Sequence, residues 1–142
     1  MNEDELGGLI MKVINNLNKA VHQRKTERFS EHELAGISIN MLYYLRAIAE
    51  LGTPSYSELA NRLGKTKASI SVGVNSLIKT GYVEKTQSSD DGRVFYLNLT
   101  DASRKLLEID QQIYQEFIRE MMQKLSPEEV RAYIQILRKV VE

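Results

Sequence analysis

The chain has 142 residues, 42% hydrophobic and 27% charged, with 19 Lys/Arg against 19 Asp/Glu and no cysteine. That length suits one domain with a single sizeable core, and the cysteine count excludes disulfides, thiolate metal sites and a cysteine redox switch. No apolar run approaches the ~20 residues of a membrane-spanning helix, and the acidic start Met1-Asn2-Glu3-Asp4-Glu5 is unlike the basic opening of a secretory signal, so a cytoplasmic protein with no membrane partner is expected.

In chain order, Leu6, Leu9, Ile10, Val13, Ile14, Leu17 and Val21 lay one broad apolar stripe along a helix over roughly residues 4–25. The charged segment Thr26 to Gly36 breaks the pattern and reads as a connection. Within it, Glu31-His32-Glu33 offers ligand-type side chains, but neighbours on a loop rarely converge on one ion, and a solvated loop is the better reading. His22, beside Gln23 and Arg24, is placed at the end of this helix. There it either favours the helix C-terminus electrostatically or lines a ligand pocket. A second helix spans about Ser38 to Leu51, with Ile39, Leu42, Leu45 and Ile48/Ala49 at core spacing, and Gly52 and Pro54 stop it.

Two helices separated by almost nothing follow. Ser55-Tyr56-Ser57-Glu58 has capping-box spacing, and the short helix it starts turns Leu59, Ala60 and Leu63 inward. Gly64 ends that helix in a left-handed conformation. Thr66 then caps a longer helix to about Thr80, with Ile70, Val74, Leu77 and Ile78 on one face. Lys67, Ala68, Ser71, Val72, Asn75 and Lys79 lie on the other. This is a helix-turn-helix. Gly73, on its second helix, costs about 1 kcal/mol relative to alanine and implies a structural reason that the sequence does not disclose.

After Gly81 the period changes. Tyr82 to Gln87 and Val94 to Leu99 read as strands, and Ser88-Ser89-Asp90-Asp91-Gly92-Arg93 is a turn carrying an Asp-Gly hairpin signal. A hairpin directly after a helix-turn-helix is a wing. Thr100 caps a long helix over about 101–124, and Ser126-Pro127-Glu128-Glu129 opens a last one with stripe Val130, Tyr133, Ile134, Leu137, Val140 and Val141.

The fold expected is therefore mainly α with a small β-wing: a winged helix-turn-helix core with N- and C-terminal dimerisation helices. Residues 1–36 form the first dimerisation helix and its connection, 37–100 the winged region, and 101–142 the C-terminal dimerisation helices, all in one integrated domain. The terminal stripes need burial, and packing them against a second copy across a two-fold axis gives a homodimer. Met121-Met122 are expected to fill that helical interface, and aspartate at Ile113 and Leu137 to weaken folding and dimerisation together. A dimer would hold two recognition helices about 34 Å apart, the spacing of successive major grooves.

Charge distribution supports a nucleic-acid partner. Residues 53–100 hold six Lys/Arg against four Asp/Glu, and Lys65 to Val83 holds three lysines and no acid, as suits a surface close to phosphate. Ser71 and Asn75 could read bases, with Ala68 and Val72 touching thymine methyls, which would favour A·T-rich sites.

Over essentially its whole length the chain resembles the MarR family of bacterial regulators. The matching residues are Ser57-Glu58-Leu59-Ala60-Asn61-Arg62-Leu63-Gly64, Thr66-Lys67-Ala68-Ser69-Ile70-Ser71 and Leu77-Ile78-Lys79-Thr80-Gly81-Tyr82-Val83, together with Asp91-Gly92-Arg93 and, after five intervening residues, Leu99-Thr100. The resemblance implies a transcription regulator bound to a double-stranded DNA operator. Its terminal helices would hold the dimer, a recognition helix would lie in the major groove and a wing arginine in the minor groove. It also implies repression relieved by a small, often aromatic, ligand. Where the family commonly has basic residues along the recognition helix, this chain has Val72 and Ser76.

The residues assigned to DNA are Ser55, Lys65, Thr66, Lys67, Ala68, Ser69, Ser71, Val72, Asn75, Lys79 and Arg93, with Asp91 orienting Arg93 or closing the turn. His22, Tyr43, Tyr44 and Arg46 are the candidates for a ligand, although tyrosines on a core helix are more often packing. No cofactor, metal or catalytic residue is assigned. The chain carries no phosphate-binding glycine loop, nucleophile elbow or metalloprotease motif, and so no enzyme is expected. The alternative is a winged-helix module that binds only protein.

Overall fold

A computed structural model describes residues 1–31 and 38–142. Its elements run α1 (Glu3–Glu31), α2 (Ile39–Leu51), α3 (Tyr56–Leu63), α4 (Lys67–Lys79), β1 (Val83–Gln87), β2 (Phe95–Leu99), α5 (Asp101–Gln123) and α6 (Pro127–Val141). The chain divides into two compact units. One comprises Met1–His32 with Asp110–Glu142, the other Glu33–Ile109.

The second unit is built on local caps. The side-chain oxygens of Ser38, Ser55 and Thr66 accept from the amides of Met41, Glu58 and Ser69, opening α2, α3 and α4. Gly64 (φ 61°) and Gly81 (φ 83°) close α3 and α4 in Schellman geometry. In each, the glycine N–H donates three residues back, to Asn61 or Ile78, and the next N–H five back, to Ala60 or Leu77. Leu42, Leu45, Ile48, Leu59, Ile70, Val74, Leu77, Val83, Leu97 and Leu106 fill the core and are almost fully excluded from solvent. Antiparallel β1 and β2 pair from Val83↔Leu99 to Gln87↔Phe95. The segment before α3 joins β2 through Leu97 N–H to Pro54 O at 2.8 Å and a bridge from Ser55 to Tyr96. That short crosslink ties the wing to the entrance of the helix-turn-helix.

The helical unit has a different texture. On α1, Leu6, Leu9, Ile10, Val13 and Ile14 are exposed, and α6, opened by Ser126 in a reciprocal capping box with Glu129, buries no residue fully. The expected stripes therefore form, but within one chain most of their apolar surface is open. Ile113 departs from the expectation that grouped it with Leu137. It is buried within its own chain, whereas Leu137 is exposed.

Two further corrections concern local structure. The first helix continues to Glu31 instead of ending near residue 25, because the charges that looked like a break are partnered. Arg24, Lys25 and Arg28 bind Glu120, Asp110 and Glu116 on α5. His22 is consequently far from a helix terminus, which removes the electrostatic role expected there. The turn expected over Ser88 to Arg93 does form at the wing tip, but its Asp-Gly signal is not realised with a positive-φ glycine. Gly92 is absent from the positive-φ glycines, and the N–H of Val94 closes a four-residue turn on the carbonyl of Asp91 at 3.0 Å. His32, Glu33 and Gly36 lie outside the described residues, as does the side chain of Ile39.

Candidate nucleic-acid interface

The α3–turn–α4 segment presents a face opposite its core stripe. Ile70, Val74 and Leu77 point inward, while Ala68, Val72, Asn75 and Lys79 recur at i, i+4, i+7 and i+11 on the outside, and all four are exposed. Val72 is 74% exposed, an unusual position for a β-branched apolar side chain. Lys67 and Ser69 are exposed beside this stripe and Ser71 half-buried. Ser55 and Thr66 are bound to the caps of α3 and α4. Their hydroxyls set the helix ends, with acceptor capacity left over. Lys65, in the turn, lies with its Nζ 5.5 Å from the centroid of the Tyr44 ring. The first turn of α4 has no acidic residue, so the positive end of the helix dipole is not neutralised there.

What seats α4 is a contact between residues 29 apart. A Cβ on Gly73 would come within 2.9 Å of two ring atoms of Tyr44, closer than side chains tolerate. Tyr44 is buried at 8% exposure, and its ring occupies the space the missing side chain leaves. This is the structural reason for a glycine in mid-helix.

At the wing tip Arg93 is wholly outside the core, its side chain 91% exposed. Asp91 accepts from the Arg93 backbone N–H (3.0 Å), from Nε (3.2 Å) and from Nη2 (3.4 Å). Those bonds, the backbone N–H first and the guanidinium second, hold the Asp91 carboxyl below the ordinary carboxylate range. Gln87 braces the same turn from β1, its amide donating to the Gly92 carbonyl at 2.7 Å. The aspartate therefore both closes the turn and orients the arginine.

The ligand candidates do not gather into one aromatic site on α2. Tyr44 faces inward against Gly73, whereas Tyr43 is 56% exposed and lies under Arg46, 5.5 Å from guanidinium carbon to ring centroid. His22 belongs to the helical unit, exposed, with its carbonyl accepting from Thr26 Oγ1.

The sequence reading missed a polar system in the helical unit. Arg24 is bidentate to Glu120 and Arg28 pairs with Glu116 at 2.7 Å. The Arg24 hydrogen bonds hold the Glu120 carboxyl below its usual range. Between them Lys25 meets Asp110 at 3.0 Å with side chains only 5% and 4% exposed. It also donates to the Tyr114 hydroxyl and sits 4.4 Å from that ring's centroid. A signal was present: two arginines four apart on one helix match two glutamates four apart on another, as antiparallel neighbours require. In the same unit Leu17, Phe117, Met121, Tyr133 and Leu137 line an open apolar groove of about 440 Å³.

Among the described residues no helix is long and apolar enough to cross a membrane. Residues 35–94 match the model of the MarR family. The chain is similar to the transcriptional regulator AdcR of Streptococcus pneumoniae, 40% identical over 52 residues covering 37% of this chain and 36% of that one. It is also similar to the HTH-type transcriptional regulator YdgJ of Bacillus subtilis, 27% identical over 105 residues covering 74% and 64%. The matched segments thus span less than two thirds of either relative. The fold is that of Streptococcus pneumoniae FabT, solved in complex with DNA, with TM-score 0.79, 19% identity and coverage of 98% and 94%. Helix order, two-stranded wing and the match over residues 35–94 agree in what the chain is similar to: the winged helix-turn-helix proteins of the MarR family.

Proposed function

We propose that the protein is a homodimeric, sequence-specific regulator of transcription that binds double-stranded operator DNA, acting as a repressor. The observation that carries this reading is the outer face of α4. It is free of acids, ends in Lys67 and Lys79, and belongs to the same unit as a fully exposed Arg93. In this reading α4 enters the major groove, with Ala68, Ser71, Val72 and Asn75 at base edges. Lys65, Lys67, Ser69 and Lys79 meet phosphates, and Arg93 reaches the neighbouring minor groove, where narrow A·T-rich segments concentrate negative potential. Ser55 and Thr66 hold the helix ends in place.

The open apolar faces of α1 and α6 support the homodimer, since each buried Leu or Ile contributes about 1.5–3 kcal/mol. On this reading residues 1–36 and 101–142 serve dimerisation and 37–100 DNA. A small aromatic effector that releases the operator is the family's expectation. On this chain the exposed Tyr43–Arg46 pair suits the ring and charge of an aromatic acid, and His22 is a further candidate.

The test is binding of purified protein to duplexes selected from random DNA, at several salt concentrations. A pseudo-palindrome with half-site centres ~10 base pairs apart is expected, with affinity falling steeply as salt rises through release of counterions. The wing and α4 would instead be a protein-docking surface if no duplex were enriched and salt had no effect.

A further inference from the structure

The α4 face carries an inference about which base it reads, resting on the DNA reading above. Between Lys67 and Lys79 the helix bears no charge, so the residues that would face base edges are Ala68, Ser71, Val72 and Asn75. None of these offers the paired cationic donors with which arginine or lysine takes guanine O6 and N7. Val72 stands at the middle of the outward stripe, one turn from Ala68 and one from Asn75, and is the most exposed of the large apolar residues on α4. Its branched side chain has one strongly preferred rotamer in a helix, which holds two methyl groups outward in a fixed place. In the major groove the apolar feature that a base pair presents is the thymine 5-methyl group. Asn75, three residues on along the same stripe, has the donor and acceptor that pair with adenine N7 and N6.

We infer that Val72 is a specificity-determining residue that reads a thymine 5-methyl group in each half-site, beside an adenine read by Asn75. The flanking lysines and acid-free surface bring the duplex to this face, and the buried Tyr44–Gly73 contact fixes the height of α4 above the core. Val72 is 74% exposed, and an apolar side chain left in water here gains contact when the methyl group arrives.

The experiment uses the full chain and its selected operator. Each thymine of a half-site is replaced in turn by uracil, which removes the methyl and leaves every hydrogen-bonding atom in place. For the wild-type protein, one position per half-site should weaken binding about fourfold, the worth of one buried methyl group at about 0.8 kcal/mol. Val72→Ala should bind the thymine operator less tightly and lose this uracil effect, with its thermal midpoint unchanged. Asn75→Ala should keep the uracil effect and instead lose preference for adenine at a neighbouring position. Equal affinity of the wild type for thymine and uracil at every position, with salt-dependent operator binding retained, would overturn the role of Val72 and leave the DNA reading standing. Failure to enrich any duplex would overturn both.

Discussion

The two units solve the problem of burial in opposite ways. The winged unit closes over a core of large apolar side chains, and its polar groups sit in local caps and turns. The helical unit buries a lysine against an aspartate, ties α1 to α5 with arginine–glutamate pairs, and leaves much of its apolar surface open. Dispersion and apolar burial are non-directional and stabilise the first. Buried ion pairs are directional: they gain little over well-packed apolar groups, but removing one partner leaves a charge stranded. The first unit is thus built for stability, and the second for a fixed register along α1 and α5 with a face left for a partner.

The contrast predicts where single substitutions hurt most. Lys25→Met removes the ammonium group from beside the buried Asp110 carboxylate and should cost about 3–5 kcal/mol in denaturant unfolding. Adding Asp110→Leu should recover most of that loss, because an apolar pair of similar volume replaces the ion pair. A double variant no more stable than the single one would show that Tyr114 and its neighbours, not the charge, set the cost. Leu45→Ala in the winged unit has no such rescue and should cost about 2–5 kcal/mol through lost transfer energy and a cavity.

The open faces give a second contrast. Leu137→Asp changes an exposed side chain and should leave the winged unit's unfolding untouched while splitting the proposed dimer, as seen by light scattering at micromolar concentration. Ile113→Asp places a charge in the chain's own core and should unfold the protein as well. If Leu137→Asp remained dimeric, α6 would not be part of the interface. Expecting Ile113 and Leu137 to behave alike was reasonable from helical periodicity, which assigns faces but not which faces meet within one chain.

That limit runs through the whole molecule. Caps and glycine stops at Ser55, Gly64, Thr66, Gly81 and Ser126 were legible because their partners lie within five residues. The helix-turn-helix and its outward face followed from them. The end of α1 was not legible, since Lys25 and Arg28 belong to a helix only by virtue of Asp110 and Glu116 more than eighty residues away. The same holds for Gly73, whose reason is a tyrosine on α2. It also makes a test of intermediate size. Gly73→Ala gains about 1 kcal/mol of helix propensity but forces Tyr44 to move, and overpacking of that kind costs about 1–3 kcal/mol. A modest net destabilisation is expected, reversed in sign when Tyr44→Leu opens room in the double variant. A Gly73→Ala protein more stable than wild type would mean that the ring yields freely.

The smallest expected effect on folding is at the wing, and there the two kinds of readout separate most cleanly. Arg93 is exposed and, among the described residues, bonded to the neighbouring Asp91 within its own turn, so Arg93→Ala should leave the unfolding midpoint unchanged. Operator binding should nonetheless weaken, and the slope of log affinity against log salt should fall by roughly 0.9 per lost phosphate-neutralising cation in each subunit. The loss should be greater on A·T-rich flanks than on G·C-rich ones, because the narrow minor groove is where a planar guanidinium gains most, and Arg93→Lys should recover part of it. The depressed Asp91 carboxyl adds a pH signature. A group whose folded pKa lies below its unfolded value contributes above the ordinary carboxylate range and loses that contribution as pH falls through the depressed pKa. Between neutral pH and the carboxylate range the turn should therefore hold Arg93 unchanged, and Asp91→Asn, which removes the charge but can still accept the backbone N–H, should mimic the acid-side state at neutral pH. An Arg93→Ala protein with full affinity on every flank would place the wing outside the DNA interface and leave α4 to carry recognition alone.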